Sequence, residues 1–319
     1  MAAGGKSRLP ALVGAVMGDV RTALRGHDGW ILTAGVTFYA LLAAVPSLVV
    51  VVRIAAAVAG RGRMESLAAA VGRALPTAQT PAPVIEAFVH HAAAIHWRQT
   101  VVAVIPATVW GEGLRRGFGR ITPPSAGTAA TAPPGRWEGW RSRLAVVPVL
   151  VLSPIGLLAV LGIAPELAHL FGRGGVGSGG IGDTALAFYL ALNVDWIIVS
   201  VVLVYVYRAL GPKRPRWRPL LAGAFFTGAF ISGFIQGFIV FLAIPVDLGS
   251  PFGGLSGVGA TIAISLWLWL FTALSILGYA ITQSLEQRWR PTVASRLTLA
   301  GTPATPTAPS ARAGRDSPG

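Results

Sequence analysis

Apolar residues dominate five long stretches of the chain: Ile31 to about Ala59, Leu144 to Ala164, Ala185 to Leu210, Leu220 to Ile244 and Gly259 to Leu285. A helix needs roughly 20 residues to cross a hydrocarbon core of about 30 Å, so each stretch predicts a membrane span. A sixth, Thr100 to Leu114, is shorter and carries Pro106 and Glu112. Lipid-facing strands alternate apolar and polar residues over segments of about ten, and these runs are continuous, which predicts helices. The expected fold class is all-α, a polytopic transmembrane bundle with spans at about 31–59, 97–114, 144–164, 185–210, 219–244 and 259–285.

Composition supports lipid as the solvent: of 319 residues 53% are hydrophobic and only 12% charged. The formal charge of +14, from 26 Lys and Arg against 12 Asp and Glu, would suggest nucleic acid for a soluble protein. The positions of the charges argue otherwise. The N-terminal arm, second loop, fourth loop and C-terminal tail hold four, six, five and five of the Lys and Arg, whereas the first, third and fifth loops hold four, one and none. Positive charge marks the cytoplasmic side, so both termini are expected in the cytoplasm of a plasma (inner) membrane protein. That bias requires an even number of spans, which is why Thr100–Leu114 is counted. The domain plan is a cytoplasmic arm over 1–29, a membrane domain over 30–288, a low-complexity cytoplasmic insertion over 122–135 and a disordered cytoplasmic tail over 289–319. Ala57-Val58-Ala59 has the look of a cleavage site, but the apolar stretch before it is too long for a signal core, so the first helix is read as uncleaved. The expected partners are membrane lipids, including anionic inner-leaflet lipid, together with envelope proteins. No nucleic acid is expected, and the oligomeric state is left open.

Motifs for chemistry are sparse. There is no Cys, which excludes disulfides, thiolate nucleophiles and iron–sulfur clusters. His90, His91 and His96 with Glu86 match no zinc-protease spacing, and the glycines of 172–182 lack the Lys-Ser/Thr ending of a phosphate loop. No Gly-x-Ser-x-Gly elbow occurs. No catalytic residue, metal or cofactor is predicted, and the protein is not expected to be an enzyme. The first external loop, 60–97, has amphipathic stretches at Met64–Leu75 and Val84–Ile95, expected to lie on the outer leaflet or to cap the bundle. Glu112 is expected to pair with Arg115 or Arg116 one turn away.

Polar groups inside spans are costly and usually face an interior or cavity. Asp195 lies about 10 Å deep in the fourth span at 1.5 Å per residue, and Gln236 reaches a similar level in the fifth. An outward-facing cluster of Asn193, Asp195 and Gln236 is therefore expected, with Arg53 within reach. The other reading has Asp195 and Arg53 extending to the outer interface. Ala229, Gly233 and Gly237 are spaced four apart, which predicts a close-packing face on the fifth helix. Pro46, Pro106, Pro148 and Pro154 predict kinks.

The stretch Thr33-Ala34-Gly35-Val36-Thr37-Phe38-Tyr39-Ala40-Leu41-Leu42 followed by Pro46 resembles the first-helix signature of the YihY/BrkB family. Trp110, the segment Tyr207 to Pro212, Pro219 to Ala224, the glycines from Gly253 to Gly259, and Trp267 with Trp269 fall in matching order across about 20–288. The resemblance implies a six-helix inner-membrane protein. The family has carried the labels ribonuclease BN and virulence or serum-resistance factor. The basic residues here are accounted for by topology and no metal-ligand set is present, which argues against the nuclease.

The functional expectation is a transporter-like or lipid- and amphiphile-handling protein with an outward-opening cavity lined by Tyr39, Pro46, Asn193, Asp195 and Gln236. The alternative is a non-transporting scaffold of an envelope complex.

Overall fold

The computed structural model describes residues 8–26, 28–74, 82–122, 136–152, 181–243, 250–252 and 254–289. The described elements are helical throughout: α1 (Arg8–Arg25), α2 (Gly29–Ala59), α3 (Arg61–Ala74), α4 (Ala82–Ala94), α5 (Trp97–Ala107), α6 (Val109–Ile121), α7 (Arg136–Leu144), α8 (Ile181–Leu210), α9 (Trp217–Ala243) and α10 (Ser256–Trp289), with a 3-10 turn at Ser250–Phe252. A short helical stretch over 147–152 follows α7. The end of the expected third span beyond 152, the Gly-rich loop up to 180, the insertion beyond 122 and the tail beyond 289 lie outside the described residues, as does Pro154.

Among the described residues, four helices are long and apolar enough to cross a membrane, over Gly29–Ala59, Leu192–Leu210, Trp217–Phe238 and Gly257–Trp289. Their surfaces show the solvent they were built for. Val45, Leu48, Phe226, Phe230, Ile262 and Leu266 point outward and are exposed, while Thr37, Ser200, Thr227, Ser232, Thr272 and Thr282 are buried between helices. Lipid tails give apolar side chains no reason to turn inward, so small hydroxyl residues make the helix contacts instead. Four of these hydroxyls bond within their own helix: Thr37 donates to the Thr33 carbonyl at 2.8 Å, Thr227 to Gly223 at 2.8 Å, Thr272 to Leu268 at 2.8 Å and Thr282 to Gly278 at 2.9 Å, whereas Ser232 donates across to Asp195 at 2.8 Å.

Helix directions follow from the contacts. Arg53 reaches the start of α5, and Tyr39 and Val36 meet Gly113 and Gly117 of α6, so α2 runs antiparallel to the α5–α6 pair. Gly228 of α9 faces Ser200 of α8, and Gly223 faces Thr282 of α10, making both pairs antiparallel. These directions gather the start of α2, the ends of α6, α8 and α10, and the start of α9 at one end of the bundle. Arg25, Arg116, Arg120, Arg208, Arg216 and Arg288 sit there, and we call it the basic end. A buried aromatic trio seals it: Phe118 stacks on Tyr279 at 4.3 Å and meets Tyr207 edge-on at 5.7 Å, joining α6, α10 and α8. The Tyr207 hydroxyl donates to the Ser275 carbonyl at 3.0 Å, which keeps this ring from being an unsatisfied polar group in a dry core.

Several elements depart from the sequence reading. The second expected span is two helices broken at Thr108, whose hydroxyl donates to Ile105 O at 2.9 Å. Pro106, which lacks an N–H and disrupts the turn before it, explains the break. Pro46, by contrast, sits inside an unbroken α2. At the opposite end of the bundle α3 and α4 pair with each other and with α2 through Val52, Ala55, Met64, Ala68, Val89 and Ala92. The arm over 1–29 contains a helix, α1, whose Val16 and Val20 are buried.

The small-residue face of α9 requires a correction. Ala229, Gly233 and Gly237 are exposed; a side chain at Gly233 would meet nothing within 4 Å, and one at Gly237 would touch only Trp267. Gly223 and Gly228 make the close approaches, to Thr282 and Ser200. The buried hydroxyls Thr227 and Ser232 share their face and determine which side of α9 turns inward.

Candidate functional site

The five residues expected to line one cavity, and Arg53 expected within their reach, fall into separate groups. Asp195 accepts a hydrogen bond from the Ser232 hydroxyl at 2.8 Å, tying α8 to α9, and Gln236 lies one turn beyond Ser232, half-buried. Asn193 donates to Tyr189 O of its own helix at 2.8 Å. Arg53 donates to Ile95 O at 2.8 Å and its guanidinium lies 4.7 Å from the Trp97 ring centre, so it holds the α4–α5 junction. Tyr39 packs on α6, within 3.4 Å of Arg116 through its hydroxyl, and Pro46 is half-buried in α2. Ser232 was not predicted: a hydroxyl one helix away from a carboxylate leaves no local spacing to read. His90, considered for metal binding, instead meets Glu65 of α3 at 3.0 Å.

Glu112 is heavily bonded. It is buried and accepts from Arg115 through two nitrogens at 3.3 Å, from Arg116 Nε at 2.7 Å and from the Ser142 hydroxyl at 2.7 Å. The expected local pairing is present with both arginines, and Ser142 adds α7 to the knot.

Two grooves open at the basic end, and they meet at the start of α2. The first, of about 390 Å³, lies between the α1–α2 elbow and α10. Its wall is apolar, built from Leu24, Leu274, Ile276 and Leu277, and Trp30 stacks flat on Trp269 across it, with ring centres 5.1 Å apart. The second, of about 490 Å³, runs between α2 and α6, with Arg116, Arg120 and Tyr39 on its walls. Gly35, Gly113 and Gly117 line it; Gly35 faces open space, whereas Gly113 and Gly117 let Tyr39 and Val36 of α2 pack close to α6. Asp28 borders both grooves. It is the only non-glycine with positive φ among the described residues (φ 45°, ψ 60°), and its side chain makes no cap bond to α2. Left-handed backbone costs about 1–2 kcal/mol outside glycine, less for Asp.

The amphipathic α1 walls the first groove and is held by Asp19. The Ser284 hydroxyl donates to Asp19 Oδ2 at 2.6 Å, and Arg288 donates from Nε and Nη2 at 3.1 and 2.6 Å. The Ser284 hydrogen bond holds the Asp19 carboxyl below its ordinary range; partial burial opposes it and Arg288 reinforces it. A lowered folded-state value means α10 holds the carboxylate form. The contribution is therefore complete above the unfolded value of about 4 and is lost as pH falls through the lower folded value. A spin label at Val13, on the exposed face of α1, is expected to gain mobility only as the pH falls below the ordinary carboxylate range. In Asp19→Asn it should be mobile at every pH; a label whose mobility ignores both changes would show that the clamp does not hold α1.

Residues 20–298 match the family model described as virulence factor BrkB. The chain belongs to the BrkB family. No curated protein and no solved structure matches it. The matched region starts inside α1 and runs past the end of α10, so both grooves, the Glu112 knot and the Asp195–Ser232 pair lie within BrkB-family sequence. With four helices apolar and long enough to span a bilayer, this BrkB-family chain is an integral membrane protein.

Proposed function

We propose that the protein is a six-span plasma (inner) membrane protein, with both termini in the cytoplasm, that binds and handles a membrane amphiphile at the basic end of its bundle. The two crossings beyond the four long helices are the ones the sequence assigns to 97–114 and 144–164. The positive-inside rule puts the basic end in the cytoplasm. One observation carries the functional reading: an apolar groove and an arginine-bordered groove adjoin at Asp28. An amphiphile has one part for each. Its acyl chain suits the wall of Leu274, Ile276 and Leu277, where it would meet the same apolar surface as in lipid, and its polar end suits Arg116 and Arg120. On this reading Asp195, Ser232 and Gln236 form a second polar step nearer the opposite face, where the sequence puts an outward opening. Nothing in this chain supplies a nucleotide-binding motif, so any transport against a gradient takes its energy from a partner or an ion.

The test is photo-crosslinking of the full chain in lipid nanodiscs with a diazirine on the acyl chain. Crosslinks are expected to concentrate in peptides covering Leu24–Thr33 and Trp269–Leu277. Ala273→Trp, which fills the first groove, is expected to remove most of them while leaving the melting temperature unchanged. Labelling spread evenly around the helices in both proteins would overturn the proposal in favour of the scaffold reading.

A further inference from the structure

The charges bordering the second groove are arranged in a way that helix packing does not require. Arg116 is tied to Glu112 at 2.7 Å, and Glu112 is further occupied by Arg115 and Ser142. Arg120, one turn beyond Arg116, is exposed and has no hydrogen-bond or ion-pair partner among the described residues. Asp28 faces the same groove with its carboxylate likewise unpaired among them, although Arg25, Arg116 and Arg120 all border one or other of the two grooves. A carboxylate and a guanidinium this free would ordinarily close on each other, as Asp19 and Arg288 do at 2.6 Å. Here they do not: Asp28 stands in the left-handed region at the start of α2, and Arg120 stands on α6, with both bordering the same groove. A positive and a negative group, each without a partner among the described residues, thus border one open space of about 490 Å³.

Resting on the amphiphile reading above, we infer that this groove is a two-point headgroup site for an aminophospholipid, with Arg120 and Arg116 taking the phosphate and Asp28 taking the ammonium. A phosphodiester offers two anionic oxygens to guanidinium donors. A primary ammonium has three N–H donors and suits a single unpaired carboxylate. A purely anionic headgroup would engage the arginines but face repulsion from Asp28. A quaternary ammonium has no N–H to give. The adjoining apolar groove takes the acyl chain, which distinguishes a lipid from free phosphate.

The experiment is native mass spectrometry of the full chain with phosphatidylethanolamine, phosphatidylglycerol and phosphatidylcholine of identical acyl chains, and with inorganic phosphate as competitor. Phosphatidylethanolamine is expected to bind best. Asp28→Asn, which keeps a residue tolerant of left-handed backbone, is expected to bring it down to the level of phosphatidylcholine. Arg120→Gln is expected to weaken all three lipids by about tenfold, the loss of one charge-assisted hydrogen bond. Unchanged melting temperatures show that both variants fold. Lipid binding with no headgroup preference, a preference for phosphatidylglycerol, or displacement by inorganic phosphate would each overturn the headgroup site and leave the amphiphile reading standing. No bound lipid with any headgroup would overturn both.

Discussion

Gly278→Leu is expected to destabilise the bundle by about 3 kcal/mol or more, the upper end for overpacking a core. A Cβ at Gly278 would collide with the Thr227 hydroxyl and the Tyr207 hydroxyl. Neither can yield. Tyr207 is fully buried, packed on Phe118 and Tyr279 and bonded to Ser275 O, and Thr227 is bonded within α9. Three helices, α8, α9 and α10, would have to separate to admit the side chain. The measurement is thermal unfolding of the detergent-solubilised protein, followed by loss of the monodisperse peak. Gly233→Leu is the control: its position is open and lipid-facing, and wild-type stability is expected. Equal effects from the two would mean that the Gly278 seam is not the packing core.

The second large effect is expected from Glu112→Leu. Removing one partner from a buried ionic cluster costs about 3–5 kcal/mol, because the remaining charges and donors lose their counterpart. Arg116, 60% exposed at its side chain, rehydrates readily, so the lower end of that range applies. The damage should appear at α7, which Glu112 reaches through Ser142, and at Val146, which packs with Ser142 against Gly111. The chain contains no cysteine, so Val146→Cys supplies a single thiol, 1% exposed at the native position. That thiol is expected to resist maleimide in the otherwise native chain and to react quickly when Glu112 is leucine. Glu112→Gln keeps one acceptor oxygen but loses the charge, and should fall between. Protection that survives Glu112→Leu would show that apolar packing alone holds α7.

The parts of the molecule legible in its sequence are those governed by local periodicity and by bulk solvent. The runs around Val50, Leu203, Leu220 and Ile276 mark the long helices because lipid imposes an apolar exterior regardless of the neighbours. Glu112 with Arg115 and Arg116 is visible from spacing on one helix. The break at Thr108 was harder to place, since Pro46 and Pro106 look alike in sequence and only one interrupts its helix. In α1 the apolar residues Val16, Val20 and Leu24 recur every fourth position, yet the run is too short to register as a span. The candidate site was least legible. Trp30 and Trp269, or Asp28 and Arg120, become neighbours only when helices far apart in sequence pack, and nothing near either residue announces its partner. The Asp195 level was found because a charge in an apolar run stands out, whereas Ser232 is one common hydroxyl among many.

The clamp between Asp19 and Ser284 spans 265 positions of the chain, which sets an order on biosynthesis. The first groove is walled by α1 and the start of α2 on one side and by α10 on the other. During co-translational insertion those early residues must wait for almost every other helix to emerge before their partner exists. The groove is consequently among the last features of the molecule to form, and a partly synthesised chain in the membrane cannot engage an acyl chain there.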